Sequence, residues 1–166
     1  MQALDRVTSS YAEPILDAPC GFGRNALALA SLGYDVIAVD NDIARLKSVN
    51  ASAAARSSGS GRIVTVGADL VADRLPFRES SFSAALCIHY PVQKIIADLC
   101  AALKEGGWLY IETFGGQGQN YLELPKPGEI SKALQGFEVI LYKERPVGPP
   151  SHGASVVRAL AQKSAR

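Results

Sequence analysis

At 166 residues, with 48% hydrophobic and 20% charged side chains, the chain suits about one domain with a full core and excludes a disordered tail. Lys plus Arg number 17 against 16 Asp plus Glu, a formal charge of +1, so charge gives no reason to expect nucleic acid or an acidic membrane as partner. No apolar run approaches the ~18 residues of a membrane helix and MQALDRVTSS lacks a signal-peptide core; three scattered cysteines without a CxxC pattern fit a reducing, cytoplasmic setting with no zinc site.

The hydrophobic period alternates along the chain. Ile15-Leu16 opens a short apolar strand that ends in the glycine turn Cys20-Gly-Phe-Gly23. RNALALASL then allows two to three helical turns and stops at Gly33, a natural C-terminal cap. Asp35–Val39 is β-branched on both faces, as in a parallel strand covered on both sides. Ile43, Leu46, Val49 and Ala53 follow at helical spacing, with Asn41 or Asp42 as N-cap. SSGSG breaks that helix, and Arg62–Val66 is the next strand.

DRLPFRESS reads as a loop and Phe82–Ile88 as a strand. After Pro91, in a first helical turn, Val92, Ile95, Ile96, Leu99, Cys100 and Leu103 form one apolar stripe. Glu105-Gly-Gly107 ends that helix and Trp108–Glu112 is a strand. A loop over Gly115–Asn120, a short helix over Glu129–Leu134 and strands over Phe137–Tyr142 and Ser155–Leu160 close the chain. The last connection is too short for a helical crossover, so the final strands should pair antiparallel. The expectation is an α/β single domain over 1–166, with about seven strands, parallel except at one end.

Ligands of such sheets sit at the carboxyl ends of the strands, where strand order reverses. Gly21 and Gly23 permit a tight turn and close approach of backbone to a ligand, and the helix behind them offers free N–H groups. Gly21-x-Gly23-x-x-Ala26 alone is a weak dinucleotide signal; the surrounding carboxylates discriminate. Asp17 ends the first strand, beside the turn, where it would repel a pyrophosphate and attract an ammonium. Asp40 ends the second strand about 20 residues after the first glycine, placed for two ribose hydroxyls. Asp69, in Val66-Gly-Ala-Asp69-Leu70, ends the third and can accept from an adenine amino group. S-adenosylmethionine satisfies all three. Asn41 and Leu70, beside their carboxylates, complete this candidate set.

ILDAPCGFGRNALALASLGYDVIAVDND, VGADL, FSAALCIHY and LKEGGWLYIETF, with the terminal strand pair, resemble the class I S-adenosylmethionine-dependent methyltransferases. The block CGFGRNALALASLGYDV is most similar to the small tellurite-resistance-type enzymes, where Gly-Arg-Asn also follows the glycine turn. The resemblance implies a Rossmann-like doubly wound sheet with an antiparallel terminal strand, S-adenosylmethionine as cofactor, and Arg24 and Asn25 bordering its carboxylate. It also implies a methyl acceptor, expected to be a small molecule. No metal is expected, since no metal-ligand spacing emerges from the motifs. About a dozen residues precede the first strand, so little or no N-terminal cap over the substrate is expected, and a partner chain could complete that side.

His89 and Tyr90, at the end of the fourth strand, are the candidate catalytic residues: either can orient an acceptor or take its proton. Glu112 and Thr113 could touch substrate, the Gly115–Tyr121 loop could act as a lid, and His152 reads as a turn residue. Cys20 serves by being small and apolar. Two rivals remain: a nicotinamide oxidoreductase, disfavoured by Asp17, and a non-catalytic S-adenosylmethionine-binding domain that regulates or scaffolds a partner.

Overall fold

The computed structural model describes residues 13–56, 61–116, 124–148 and 154–165. Its first half alternates β1 (Ile15–Asp17), α1 (Arg24–Ser31), β2 (Val36–Asp40), α2 (Ile43–Ala54) and β3 (Ile63–Gly67). The second half holds β4 (Phe82–Ile88), a 3₁₀ turn (Val92–Lys94), α3 (Ile96–Ala102), β5 (Leu103–Gly116), α4 (Glu129–Ala133), β6 (Phe137–Pro146) and β7 (Ala154–Lys163). The strands form one sheet in the order β3-β2-β1-β4-β5-β7-β6. β1 to β5 pair in parallel, and β7 inserts antiparallel between β5 and β6. This is the doubly wound, Rossmann-like sheet with one reversed terminal strand that the alternation predicts. Among the described residues, no helix is long and apolar enough to cross a membrane.

Both faces of the sheet are covered, which explains the β-branched character of its central strands. On one side Ala26, Leu29 and Ala30 of α1 and Leu46 and Val49 of α2 pack on Ile15, Val36 and Ala38. On the other, Ile96 and Leu99 of α3 and Ile130 of α4 pack on Phe82, Leu109, Ile111, Val157 and Ala159. Asp42 is the N-cap of α2, accepting the N–H groups of Ala44 at 2.8 Å and Arg45 at 3.2 Å.

The apolar stripe misplaces one boundary. α3 stops at Ala102 and β5 begins at Leu103, which pairs with Phe82. The register then jumps, so that Ala84 faces Trp108 and residues 104–107 bulge out of the ladder. Leu103 fits the helical spacing from Leu99 but is buried equally well as the first strand residue. Two features fix the outcome. Lys163 reaches back from β7 and donates to the carbonyls of Cys100 and Leu103 at 2.8 and 2.6 Å, closing the end of α3. A Cβ at Gly107 would come within 2.8 Å of the Lys104 carbonyl, so the bulge needs glycine there.

Candidate active site

Strand order reverses between β1 and β4, and the turns after these two strands diverge and open a cleft. Its volume is about 480 Å³, and Gly21, Phe22, Arg24, Asn25, Asp40, Asn41, Leu70, His89 and Tyr90 line it together with Cys20 and Arg45. The strand ends thus bring six of the nine expected cofactor residues and both expected catalytic residues to one cleft. Asp17, Gly23 and Asp69 are set differently.

Asp17 lies beneath the turn, fully buried. Its Oδ2 accepts the Ala26 N–H at 3.1 Å, while Oδ1 is buried with no hydrogen-bond partner. Burial pushes its carboxyl up to about 7, against the pull of the Ala26 N–H and the Asn25 side chain.

Asp40 is 2% exposed and braces the turn. Its Oδ2 accepts the Gly21 N–H at 2.9 Å and its Oδ1 the Asp42 N–H at 3.0 Å, with the Arg45 guanidinium 3.7 Å away. A carboxylate oxygen has two acceptor positions, so each retains one. Asp69 is committed to its own loop: Oδ1 accepts the N–H groups of Val71 and Ala72 at 2.9 and 3.1 Å, which hold its carboxyl below the usual range. Its neighbours Ala68 and Leu70 face the cleft.

The two glycines do different work. Gly21, at φ +55°, has open space where a Cβ would stand, so its backbone can be approached from the cleft. Gly23, at φ +76°, would place a Cβ 2.6 Å from a Val49 methyl of α2, so it sets the close packing of turn on helix. Gly23→Ala should therefore lose about 1–2 kcal/mol to the backbone and about 1–3 kcal/mol to overpacking. Urea denaturation would show this, and Val49→Ala in the same chain should restore the second part; a fully additive double mutant would place the strain elsewhere.

His89 adopts φ +56°, rare for a side-chain-bearing residue and a conformation that marks many functional sites. Its N–H donates to the Glu112 carbonyl at 2.7 Å, and the Thr113 hydroxyl donates to the Tyr90 carbonyl at 2.6 Å. The exit of β4 is thereby stapled to the end of β5. Burial, then the negative charge of Asp69, raises the Tyr90 phenol, which stays protonated and available as a donor. Thr113 is buried and spent on this staple, so it does not reach a ligand. Cys20 is buried and pushed up to about 12 by burial and by Asp17 and Asp40, which rules it out as a neutral-pH nucleophile.

Sequence reasoning missed Phe22 and Arg45. Phe22 is 71% exposed at the tip of the turn, with the Arg45 guanidinium 5.6 Å from its ring centroid. An aromatic residue between two turn glycines was the available signal. Residues 117–120 of the expected lid, Tyr121 and His152 lie outside the described residues. Among the described residues, no cluster of three or more His, Cys, Asp or Glu side chains could hold a metal ion.

A family model described as a methyltransferase domain matches residues 15–107, from the start of β1 into the bulge of β5. The chain belongs to this methyltransferase family, whose cofactor is S-adenosylmethionine. Solved structures of similar fold include an S-adenosylmethionine-dependent methyltransferase from Methanosarcina mazei, with 19% identity, 98% of both chains covered and a TM-score of 0.71. TehB from Haemophilus influenzae, a tellurite-resistance methyltransferase, shares 19% identity over 98% of this chain and 62% of its own, with a TM-score of 0.76. Geranyl diphosphate C-methyltransferase from Streptomyces coelicolor, solved with Mg2+, geranyl diphosphate and S-adenosyl-L-homocysteine, shares 14% identity over 98% and 77%, with a TM-score of 0.69. At such identities the likeness is one of fold. No functionally curated protein matches the sequence.

Proposed function

We propose that this protein transfers a methyl group from S-adenosylmethionine to a small-molecule acceptor, with His89 and Tyr90 on the acceptor side of the cleft. The observation that carries the cofactor side is the orphaned Oδ1 of Asp17 under the glycine turn. A buried acceptor without a donor fits an ammonium group, and a carboxylate there disfavours the pyrophosphate of a dinucleotide. Asp40 keeps acceptor positions for ribose hydroxyls, and Gly21 leaves its backbone open to close approach. Arg24 and Asn25, which line the cleft, suit a carboxylate. Asp69 can serve an adenine amino group through Oδ2, the oxygen its own turn does not use.

Bound S-adenosylmethionine supplies an activated methyl on a sulfonium. The remaining tasks of the chain are alignment and exclusion of water, which can account for several kcal/mol of barrier lowering. His89 can take the proton of a hydroxyl or amine acceptor, and the Tyr90 phenol can hold the acceptor by donating to it. A concave cleft of about 480 Å³ falls in the range of small-ligand sites. The geranyl diphosphate enzyme shows this fold serving a small acceptor.

Incubation with methyl-labelled S-adenosylmethionine and a small-metabolite extract tests the reading. Label should move into the low-molecular-weight fraction; label in protein or nucleic acid, or none, would sink it. His89→Ala should then keep S-adenosylhomocysteine affinity within a few-fold and lower transfer by about 10²-fold or more. Normal transfer by a folded His89→Ala would return His89 to the scaffold.

A further inference from the structure

One polar cluster beside the cleft has no part in the chemistry so far. Along β5, Leu109, Ile111 and Thr113 are buried on one face, and Tyr110, Glu112 and Phe114 occupy the other. The antiparallel register of β5 and β7 sets Arg158 directly opposite Glu112. Arg158 grips the carboxylate with both arms of its fork, Nε to Oε2 at 3.0 Å and Nη2 to Oε1 at 3.1 Å. The Tyr110 hydroxyl donates to Oε2 at 3.0 Å. Three acceptor positions are thus filled, and the side left on Oε1 faces the imidazole Nε2 of His89 at 3.5 Å.

We propose that Glu112 is a positioning residue for His89, fixing its proton on Nε2 and leaving Nδ1 as the basic nitrogen for the methyl acceptor. The inference rests on the acceptor-side role of His89 given above. Its chemistry follows from what each group can do. An ionised carboxylate only accepts hydrogen bonds, and Arg158 keeps Glu112 ionised, so the imidazole nitrogen facing it must be the one carrying hydrogen. A neutral imidazole has one N–H, so the other nitrogen is then the base. Contacts of this kind commonly tighten when substrate binds, so a separation of 3.5 Å is within reach of the role.

The rest of His89 is restrained from the same strand. Its backbone N–H is held by the Glu112 carbonyl at a φ of +56°, and Phe114 stacks on the imidazole with centroids 6.1 Å apart and planes 23° apart. Backbone and ring face are therefore restrained by two residues of β5, and one ring nitrogen lies 3.5 Å from the Glu112 carboxylate. Arg158 acts one step further back, by holding Glu112. A pair made only for strength would be complete with Glu112 and Arg158; the remaining acceptor side, which faces His89, ties it to the cleft.

The tautomer of His89 can be read without any acceptor. The sequence holds only two histidines, so His152→Asn identifies the His89 signals in long-range proton–nitrogen spectra of nitrogen-15-labelled protein. At a pH where both rings are neutral, wild-type His89 should show a single Nε2–H tautomer with an observable, slowly exchanging Nε2 proton. Glu112→Ala should give a tautomer mixture and lose that proton, and Glu112→Gln, which keeps an acceptor oxygen and the fit, should restore much of both. A melting shift with S-adenosylhomocysteine checks that each variant is folded. An Nδ1–H tautomer in the wild type, or the same spectrum in Glu112→Ala, overturns the proposal. Failure of the His89 reading itself shows separately, as unimpaired methyl transfer by His89→Ala with the tautomer still locked.

Discussion

Replacing Asp40 with alanine should weaken S-adenosylhomocysteine binding by about 10²-fold or more in a domain that still folds. On the proposed reading Asp40 carries two loads, ribose binding and bracing of the turn, and the substitution removes both. Toward the cleft, each ribose hydroxyl that loses a charged acceptor costs about 1.5–3 kcal/mol. Within the fold, the Gly21 N–H loses the acceptor that sets the turn, and the Asp42 N–H loses the one that leads into the N-cap of α2. Each of these lost bonds costs about 1 kcal/mol of stability, so the melting temperature should fall by several degrees in a chain of this size. Titration calorimetry on the folded mutant, checked by circular dichroism, separates the two loads. A lowered melting point with unchanged affinity would assign Asp40 to bracing alone.

Asp17→Asn should abolish a pH dependence that the wild type displays. In the free protein the Asp17 carboxyl, raised by burial to about 7 from 3.8, keeps its proton through the range where an unfolded chain has lost it. The native state therefore binds more protons than the unfolded state between about pH 4 and 7. The stability due to this group is fully present below 3.8 and is lost as pH rises through 7, a difference on the order of 4 kcal/mol. An ammonium ligand needs the anion, so binding must expel that proton. Affinity for S-adenosylhomocysteine should accordingly rise nearly tenfold per unit between about pH 5 and 7 and level off near 7, where the free protein ionises. Asn keeps an acceptor for the Ala26 N–H but can carry no charge. The mutant should melt higher than wild type at pH 8, bind the ligand weakly, and show a flat affinity profile. A wild-type profile already flat from pH 5 to 7 would place the ammonium away from Asp17.

The sequence made the sheet legible because its cues are local. The alternation of short β-branched runs with helical stripes predicts β1 to β4, α1 and α2 within a residue or two, and the glycine turn with its two strand-end aspartates marks the switch point. Where two states satisfy the same apolar pattern, the reading fails. Leu103 is buried as either helix or strand, and a lysine 60 residues away decides between them. The division of labour between Gly21 and Gly23 was equally hidden, since it depends on where Val49 lands when α2 packs. Asp40 is the last residue of β2, but Asp69 was expected to end β3 and instead lies two residues past Gly67, where it spends one oxygen on its own loop, a local competition that spacing does not reveal.

The pairing of His89 with Glu112 and Arg158 was the least accessible feature. It requires the parallel register of β4 on β5 and the insertion of β7 beside β5, neither of which is written into any one segment. His89 itself stood out as a polar ring at a strand end. Its left-handed backbone and the carboxylate behind it belong to the folded chain alone.

The most direct test of the cofactor assignment is titration calorimetry of the wild-type protein at pH 8 with S-adenosylhomocysteine and, separately, with NAD. The expected result is saturable one-to-one binding of S-adenosylhomocysteine and no heat from NAD. Binding of NAD, or of neither ligand by a folded chain, would contradict the reading of the glycine turn and its carboxylates.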